Sequence, residues 1–214
     1  MSSVVIIRLR LRHAAFYVVI AVFTMNDLRI VSFLPSATEM VCASGLEDRL
    51  VGITHECDYP PEIRTKPVVV RPAIPLEGMS LREIDVAVSA RIRSGESLYQ
   101  VDEEILRELA PTLILTQNLC QVCAPSGNEI TQVLKLLRPK PRILWFTPKS
   151  LAGIEENLRE LGQVTGHLQE AEAVIASGRA RLEKVSANPW PLRSSARVLH
   201  GMGRSGVLQR PLGS

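Results

Sequence analysis

The sequence predicts an α/β fold in which helices wrap one parallel sheet through right-handed crossovers. Three observations predict it. Short, near-continuous, β-branched runs recur at 29–34, 49–53, 67–70, 112–116 and 142–146, as strands buried on both faces read. Helical patterns separate most of these runs, and three of the helices open with a Ser-x-x-Glu capping box, in which Ser accepts from an orphan amide and Glu reaches back. From Pro148 the alternation stops, and two helical patterns follow each other with no strand between them.

Residues 1–24 read as a leader or as an upstream start assigned in error. Arg8, Arg10, Arg12 and His13 form a basic region ahead of the apolar run Ala14 to Phe23, too short to span a bilayer and right for a signal-peptide core. No small-x-small cleavage site follows it, and Met25 opens a segment that could begin a protein by itself.

Residues 28–147 form the α/β lobe, Rossmann-like in its alternation. After the first strand run, Ser36 and Glu39 frame a helix that Gly45 closes. The runs at 49–53 and 67–70 follow, then a helix framed by Ser80 and Glu83 and closed at Gly95. The next helix starts near Asp102, where Asp102-Glu103-Glu104 supplies the negative charge a helix N-terminus favours, and stops at Pro111. Beyond 112–116 a helix framed by Ser126 and Glu129 leads to the last run.

Residues 148–187 form a helical pair, 151–161 and 167–185, broken at Thr165-Gly166. The second helix reaches roughly 30 Å at about 1.5 Å per residue. It reads as a strut toward something else, or as a helix packed back on its own lobe through Leu168, Ala171, Ile175 and Leu182. In residues 188–214 a short strand-like run, Ala196 to His200, precedes a Gly/Arg/Ser-rich tail expected to be disordered.

Composition narrows function more by exclusion than by assignment. The 214 residues carry 25 Lys+Arg against 22 Asp+Glu scattered along the chain, so no basic stripe points to nucleic acid. Aromatics at 4% are too few for a base-stacking platform, and four cysteines do not make a disulfide scaffold.

Ligands of open parallel sheets bind beyond the carboxyl ends of the strands, which selects three loops. The first, SFLPSATE, places Pro35 and Ser36 at a helix start whose amides suit an anionic group, or it is a plain strand-to-helix turn. The second, THECDYPP, sets His55, Glu56, Cys57, Asp58 and Tyr59 in succession after a strand. The third, TQNLCQVCAPSG, carries Cys120 and Cys123. His55, Cys57, Cys120 and Cys123 make a plausible zinc or iron ligand set, although His55 and Cys57 lie only two apart on an extended chain, where successive side chains point opposite ways, and a structural zinc site usually pairs two short knuckles. A redox pair, or a disulfide among the three cysteines, is the rival reading, whereas Cys42 on an apolar helix face reads as a small buried hydrophobe. Acid–base catalysis finds no support: there is no nucleophile elbow and no phosphate-cradling glycine loop. His13, His167 and His200 form no constellation, and His167 reads as a solvated helix residue.

RIVSFLPSATEMVCASGLEDRLVGITHECDYPPEI and GESLYQVDEEILRELAPTLILTQNLCQVCA resemble the N-terminal lobe of the cobalamin-binding branch of the Fe/cobalamin-type periplasmic solute-binding proteins, the capture subunits of ABC importers. The resemblance runs from about Leu28 to Val185 and is specific in combining THECDYPP, GESLY and LTQ-x-LC-x-VCA. It implies two α/β lobes joined by one long helix, here 167–185, with a corrinoid such as cobalamin held between them and no catalysis. Tyr59 is similar to the tyrosine that lies against the corrin ring, and Glu104 matches the glutamate that docks on arginines of the importer membrane subunits. His55, Glu56, Asp58, Ser36 and Tyr99 join Tyr59 as the implied ligand-binding set. The resemblance also implies a monomer in the periplasm, or a cytoplasmic protein if translation starts at Met25.

One departure accompanies it. After Arg197-Val198-Leu199 the family continues with a second lobe, where this chain has fourteen residues beyond His200. The expectation is a missing second lobe, with binding impaired by loss of one wall of the cleft. The alternative function is a thiol or metal protein using His55, Cys57, Cys120 and Cys123.

Overall fold

The structure, a computed structural model, describes residues 3–11, 14–22, 27–117 and 137–187, the first two stretches as backbone. The segment expected as a leader pairs with itself. Strand β1 (Ser3–Leu11) runs antiparallel to β2 (Ala14–Val22), from Ser3 opposite Val22 to Leu11 opposite Ala14. Both strands are rich in Val and Ile, whose branched side chains favour extended backbone.

The lobe's strands are β3 (Ile30–Ser32), β4 (Leu50–Thr54), β5 (Val68–Pro72), β6 (Tyr99–Val101), β7 (Leu113–Thr116) and β8 (Arg142–Trp145). They form a six-stranded sheet in the order β6-β5-β4-β3-β7-β8. Every pairing is parallel except β5 with β6. All five strand runs seen in the sequence are therefore present. The added strand, β6, lies in the GESLY motif, where three residues are too few to show a period and the antiparallel edge position comes from pairing with β5.

Successive side chains of a strand point to opposite faces, and both faces here are apolar. Ile30, Leu113, Leu115 and Leu144 pack on one side with helix α1 (Pro35–Ala43), while Val31, Ile114 and Val69 pack on the other with Leu106 of α3 (Glu103–Leu109). Continuous apolar runs are what a sheet covered on both sides requires. Gly52 on β4 is part of that cover: a Cβ there would lie 2.8 Å from Leu109 Cδ1, so its bare backbone is what admits α3.

The helix starts divide the capping expectations. Helix α2 (Leu81–Ser94) has the box in full: the Ser80 amide donates to Glu83 Oε2 at 2.7 Å, and the Glu83 amide donates to Ser80 Oγ at 3.4 Å. Gly95 closes it with φ +71°, and Gly45 after α1 has φ +72°. The Ser36/Glu39 box does not form. Helix α1 starts at Pro35 with Leu34 as N-cap and no side-chain cap, because proline, with preset φ and no N–H, is already suited to the first helical position. The hydroxyl that ties this turn is Ser32, whose Oγ donates to the Leu34 carbonyl at 2.8 Å. Asp102 caps α3 by accepting from the Ile105 amide at 3.0 Å, and the helix ends ahead of Pro111. Ser126 and Glu129 lie outside the described residues.

Two compact units divide the chain, Met1–Ala176 and Ser177–Ser214. The first ends in α4 (Leu151–Thr165), capped by Ser150, and the start of α5 (Leu168–Ala187). Gly162 permits that turn: a Cβ would sit 2.9 Å from the His167 carbonyl oxygen and from Leu168 Cα. Of the packing face expected on α5, Ala171 and Ile175 are buried, while Leu168 is 41% exposed. In the second unit the described residues, 177–187, continue α5, and Leu182 is 51% exposed. His167 is not the solvated helix residue expected. It is half-buried between the helices, its amide donating to the Gly162 carbonyl at 2.8 Å and its Nδ1 lying 3.0 Å from the Thr165 carbonyl oxygen. No helix among the described residues is long and apolar enough to cross a membrane.

Candidate ligand-binding edge

The five mutually parallel strands end along one edge of the sheet, at Ser32, Thr54, Pro72, Thr116 and Trp145. Strand order runs outward from β3 to β6 on one side and resumes at β7 on the other, so the topological switch point lies between β3 and β7. A crevice outside the carboxyl ends at such a point is where open α/β sheets take ligands. Ser36, exposed in the first turn of α1, sits at the β3 end of it.

The THECDYPP loop leaves β4 on the same edge and is held at two points. Cys57, 5% exposed, turns down into the core, where its Sγ lies 3.1 Å from Thr38 Oγ1 of α1 and its amide donates to the Thr54 carbonyl at 3.0 Å. Ile63, fully buried, anchors the short helical turn Pro61–Thr65. Glu56 just before the first anchor, and Asp58 and Tyr59 between the two, are exposed, Tyr59 at 63%. Arg64 Nε donates to the Asp58 carbonyl at 3.1 Å and so closes the loop on itself. A large aromatic ring is thus presented to solvent on a loop whose backbone is tied down.

His55 is half-buried beside this loop. Its amide donates to the Val70 carbonyl at 3.0 Å and its Nδ1 lies 3.1 Å from the same oxygen, with Thr54 Oγ1 at 3.2 Å. The Tyr99 ring lies against it, centroids 6.3 Å apart and planes tilted by 48°. Tyr99 reaches this edge because β6 runs antiparallel, which sets it opposite Pro72 at the carboxyl end of β5. Ser97 holds it there, its Oγ donating to the Tyr99 carbonyl at 2.8 Å.

The fold brings Ser36, His55, Glu56, Asp58, Tyr59 and Tyr99 to the carboxyl-end edge of the sheet. Glu104 is elsewhere: it is exposed in the first turn of α3, beyond the far end of β6 from Tyr99. Thr38, Val70 and Arg64, which shape the loop, carried no signal in the sequence, since a backbone carbonyl and a helix threonine look the same wherever they occur.

The expected metal or redox set fares differently. Cys57 and His55 are turned to different surroundings, one to Thr38 in the core and one to Val70 and Tyr99. Burial pushes the Cys57 thiol above its ordinary value, against the hydrogen bonds from Thr38 and Thr54, and pushes the Cys42 thiol up to about 11, with Glu47 adding to it. A thiolate is the form that ligates metals or attacks disulfides, and both sites disfavour it. Cys120 and Cys123 lie outside the described residues. Among the described residues no three His, Cys, Asp or Glu side chains cluster so as to hold a metal ion.

No protein-family model matches the chain. A vitamin B12-binding protein from Vibrio campbellii is 24% identical over 155 residues, covering 72% of this chain and 44% of that protein. One from Vibrio cholerae is 26% identical over 168 residues, covering 77% of this chain and 49% of that protein. Among solved structures, a periplasmic heme-binding protein from Pseudomonas aeruginosa matches with a TM-score of 0.52 at 24% identity, over 75% of this chain and 46% of that chain. The chain spans about half the length of the curated relatives it matches. In sequence this chain is similar to vitamin B12-binding proteins over about half their length, and its α/β lobe shares its fold with part of a periplasmic heme-binding protein.

Proposed function

We propose that this chain is a substrate-binding component of a cobalamin ABC import system, one that captures a corrinoid and does no chemistry on it. The observation that carries the reading is Tyr59, an exposed aromatic ring on a loop held by Cys57 and Ile63, at the same sheet edge as the His55–Tyr99 pair. A flat macrocycle laid on such a ring removes apolar surface from water, worth about 25 cal/mol per Å². Because the loop is already ordered, little of that gain is lost in fixing it. Glu56, Asp58 and Ser36 supply polar groups at the rim for the amide arms of a corrin. The names of the relatives support a corrinoid over other large ligands.

The remaining roles follow from the same reading. Glu104, exposed at the start of α3, is an unburied carboxylate suited to arginines of the importer membrane subunits. The protein acts outside the cytoplasm as a monomer. The thiol or metal alternative draws no support from Cys57, whose side chain is committed to the core.

Titration of the chain with cyanocobalamin, followed by heat and corrin absorbance, tests this. Saturable binding that weakens about tenfold in Tyr59→Ala, the loss of one aromatic contact, is the expected result. No binding by a chain that melts cooperatively, or binding that Tyr59→Ala leaves unchanged, overturns it.

A further inference from the structure

We infer that His55 Nε2 is an axial ligand for the metal at the centre of the captured macrocycle. The inference rests on the macrocycle reading above and goes beyond it in naming which forms of the ring are held.

The argument starts from the Val70 carbonyl oxygen. It faces both the His55 amide, at 3.0 Å, and His55 Nδ1, at 3.1 Å. A carbonyl oxygen can only accept, so the ring proton of the neutral imidazole is on Nδ1 and the lone pair is on Nε2. Nε2 has no partner among the described residues. The Tyr99 ring lies beside the imidazole, centroids 6.3 Å apart. A histidine whose Nδ1–H is bound to a backbone carbonyl, with tautomer and ring plane thereby fixed, is arranged as metal-binding histidines commonly are.

Position and competition point the same way. His55 is the first residue past β4 on the ligand edge, four positions before the tyrosine proposed to lie against the ring. Cys57 faces the core, and Glu56 and Asp58 offer hard carboxylate oxygens, whereas imidazole suits iron and other late transition metals. The step is a ligand exchange: the Nε2 lone pair forms a bond to the trivalent cobalt or iron, and the water held there leaves. In the tautomer with its proton on Nδ1, Nε2 carries no proton to release, and the metal keeps its oxidation state. The edge therefore selects rings with an exchangeable axial position, such as an aquo-corrinoid or ferric heme, over one whose axial site is closed by cyanide.

The test is titration of the 214-residue chain with aquocobalamin, hemin and cyanocobalamin, read by absorbance. The aquo-corrinoid and ferric heme bands are expected to move to those of their imidazole adducts, with no such change for cyanocobalamin. His55→Asn keeps a donor for the Val70 carbonyl and removes Nε2. It should abolish the band shift and weaken aquocobalamin binding roughly tenfold or more, on the scale of changes around metal ligands, a larger loss than for cyanocobalamin. His55→Gln serves as the second variant, and a melt matching the parent shows that each is folded. Binding of aquocobalamin by the parent chain without a band shift, or a shift that survives in a folded variant, overturns the axial bond and leaves the corrinoid reading standing. Failure of the parent to bind any of the three rings overturns both.

Discussion

The loop from His55 to Thr65 and helix α2 both hold apolar side chains out to water, and they do so on opposite physical terms. Tyr59 is 63% exposed in a segment whose first half is irregular and whose second half is one short helical turn, yet Cys57 and Ile63 on either side of it are buried. Leu81 is 88% exposed on a regular helix with a complete capping box, and none of the fourteen residues of that helix is buried. The loop is ordered by tertiary anchors and the helix by its own local chemistry. An exposed aromatic means a rigid ligand platform only in the first case.

The largest effect expected from breaking this contrast is at Ile63. Truncating a fully buried isoleucine removes apolar contacts and leaves a cavity, so Ile63→Ala should destabilise the lobe by about 2–5 kcal/mol. It should also loosen the Tyr59 tip. Denaturant unfolding measures the first consequence, and corrinoid affinity in a variant still folded at low temperature measures the second. Leu81→Ala, the same kind of truncation on α2, removes an exposed side chain and should stay within about 0.5 kcal/mol.

A smaller effect is expected at the cap of α2. Ser80→Ala removes the oxygen that accepts from the Glu83 amide, a change worth about 1 kcal/mol. Because no residue of α2 is fully buried, the loss should appear as faster amide exchange within 81–94, with little change in global unfolding. Acid acts on the same contact. Hydrogen bonds from the Ser80 side chain and amide hold the Glu83 carboxyl below its ordinary value, so the folded pKa is depressed. Its stabilisation is complete above the ordinary glutamate pKa of about 4.3 and is lost as pH falls through the lower, folded value. Protection of the α2 amides, taken relative to their unstructured exchange rates at each pH, should therefore fall in that acid range in the parent chain and lose this pH step in Glu83→Gln.

The contrast also explains what was legible in the sequence. Strands β3, β4, β5, β7 and β8, and the box at Ser80, are written in neighbouring residues, as runs of one polarity or a fixed spacing, and they appear where those runs stand. The edge residues were legible as motifs, because a dense set of polar and aromatic side chains directly after a strand has few other uses. What could not be read is every contact made between distant segments: Cys57 with Thr38, His55 with the carbonyl of Val70, and β6 completing the sheet beside β5. Those depend on register and on which of two neighbouring side chains turns inward. That is also why a Cys two residues from a His looked like half a metal site.

The smallest effect expected is at Ser36, and it separates spacing from structure most sharply. Ser36 and Glu39 have the same spacing as Ser80 and Glu83, and on spacing alone Ser36→Ala should cost as much as Ser80→Ala. In the folded chain Pro35 takes the first position of α1, which puts Ser36 inside the helix and hands the turn to Ser32. Alanine inside a helix is at least as favourable as serine, so Ser36→Ala should change stability by less than about 0.5 kcal/mol in either direction. A loss near 1 kcal/mol by denaturant unfolding would mean that the helix starts one residue later than Pro35 and that the first box forms after all. A neutral result, alongside weakened corrinoid binding, would place the Ser36 hydroxyl at the ligand and not at the cap.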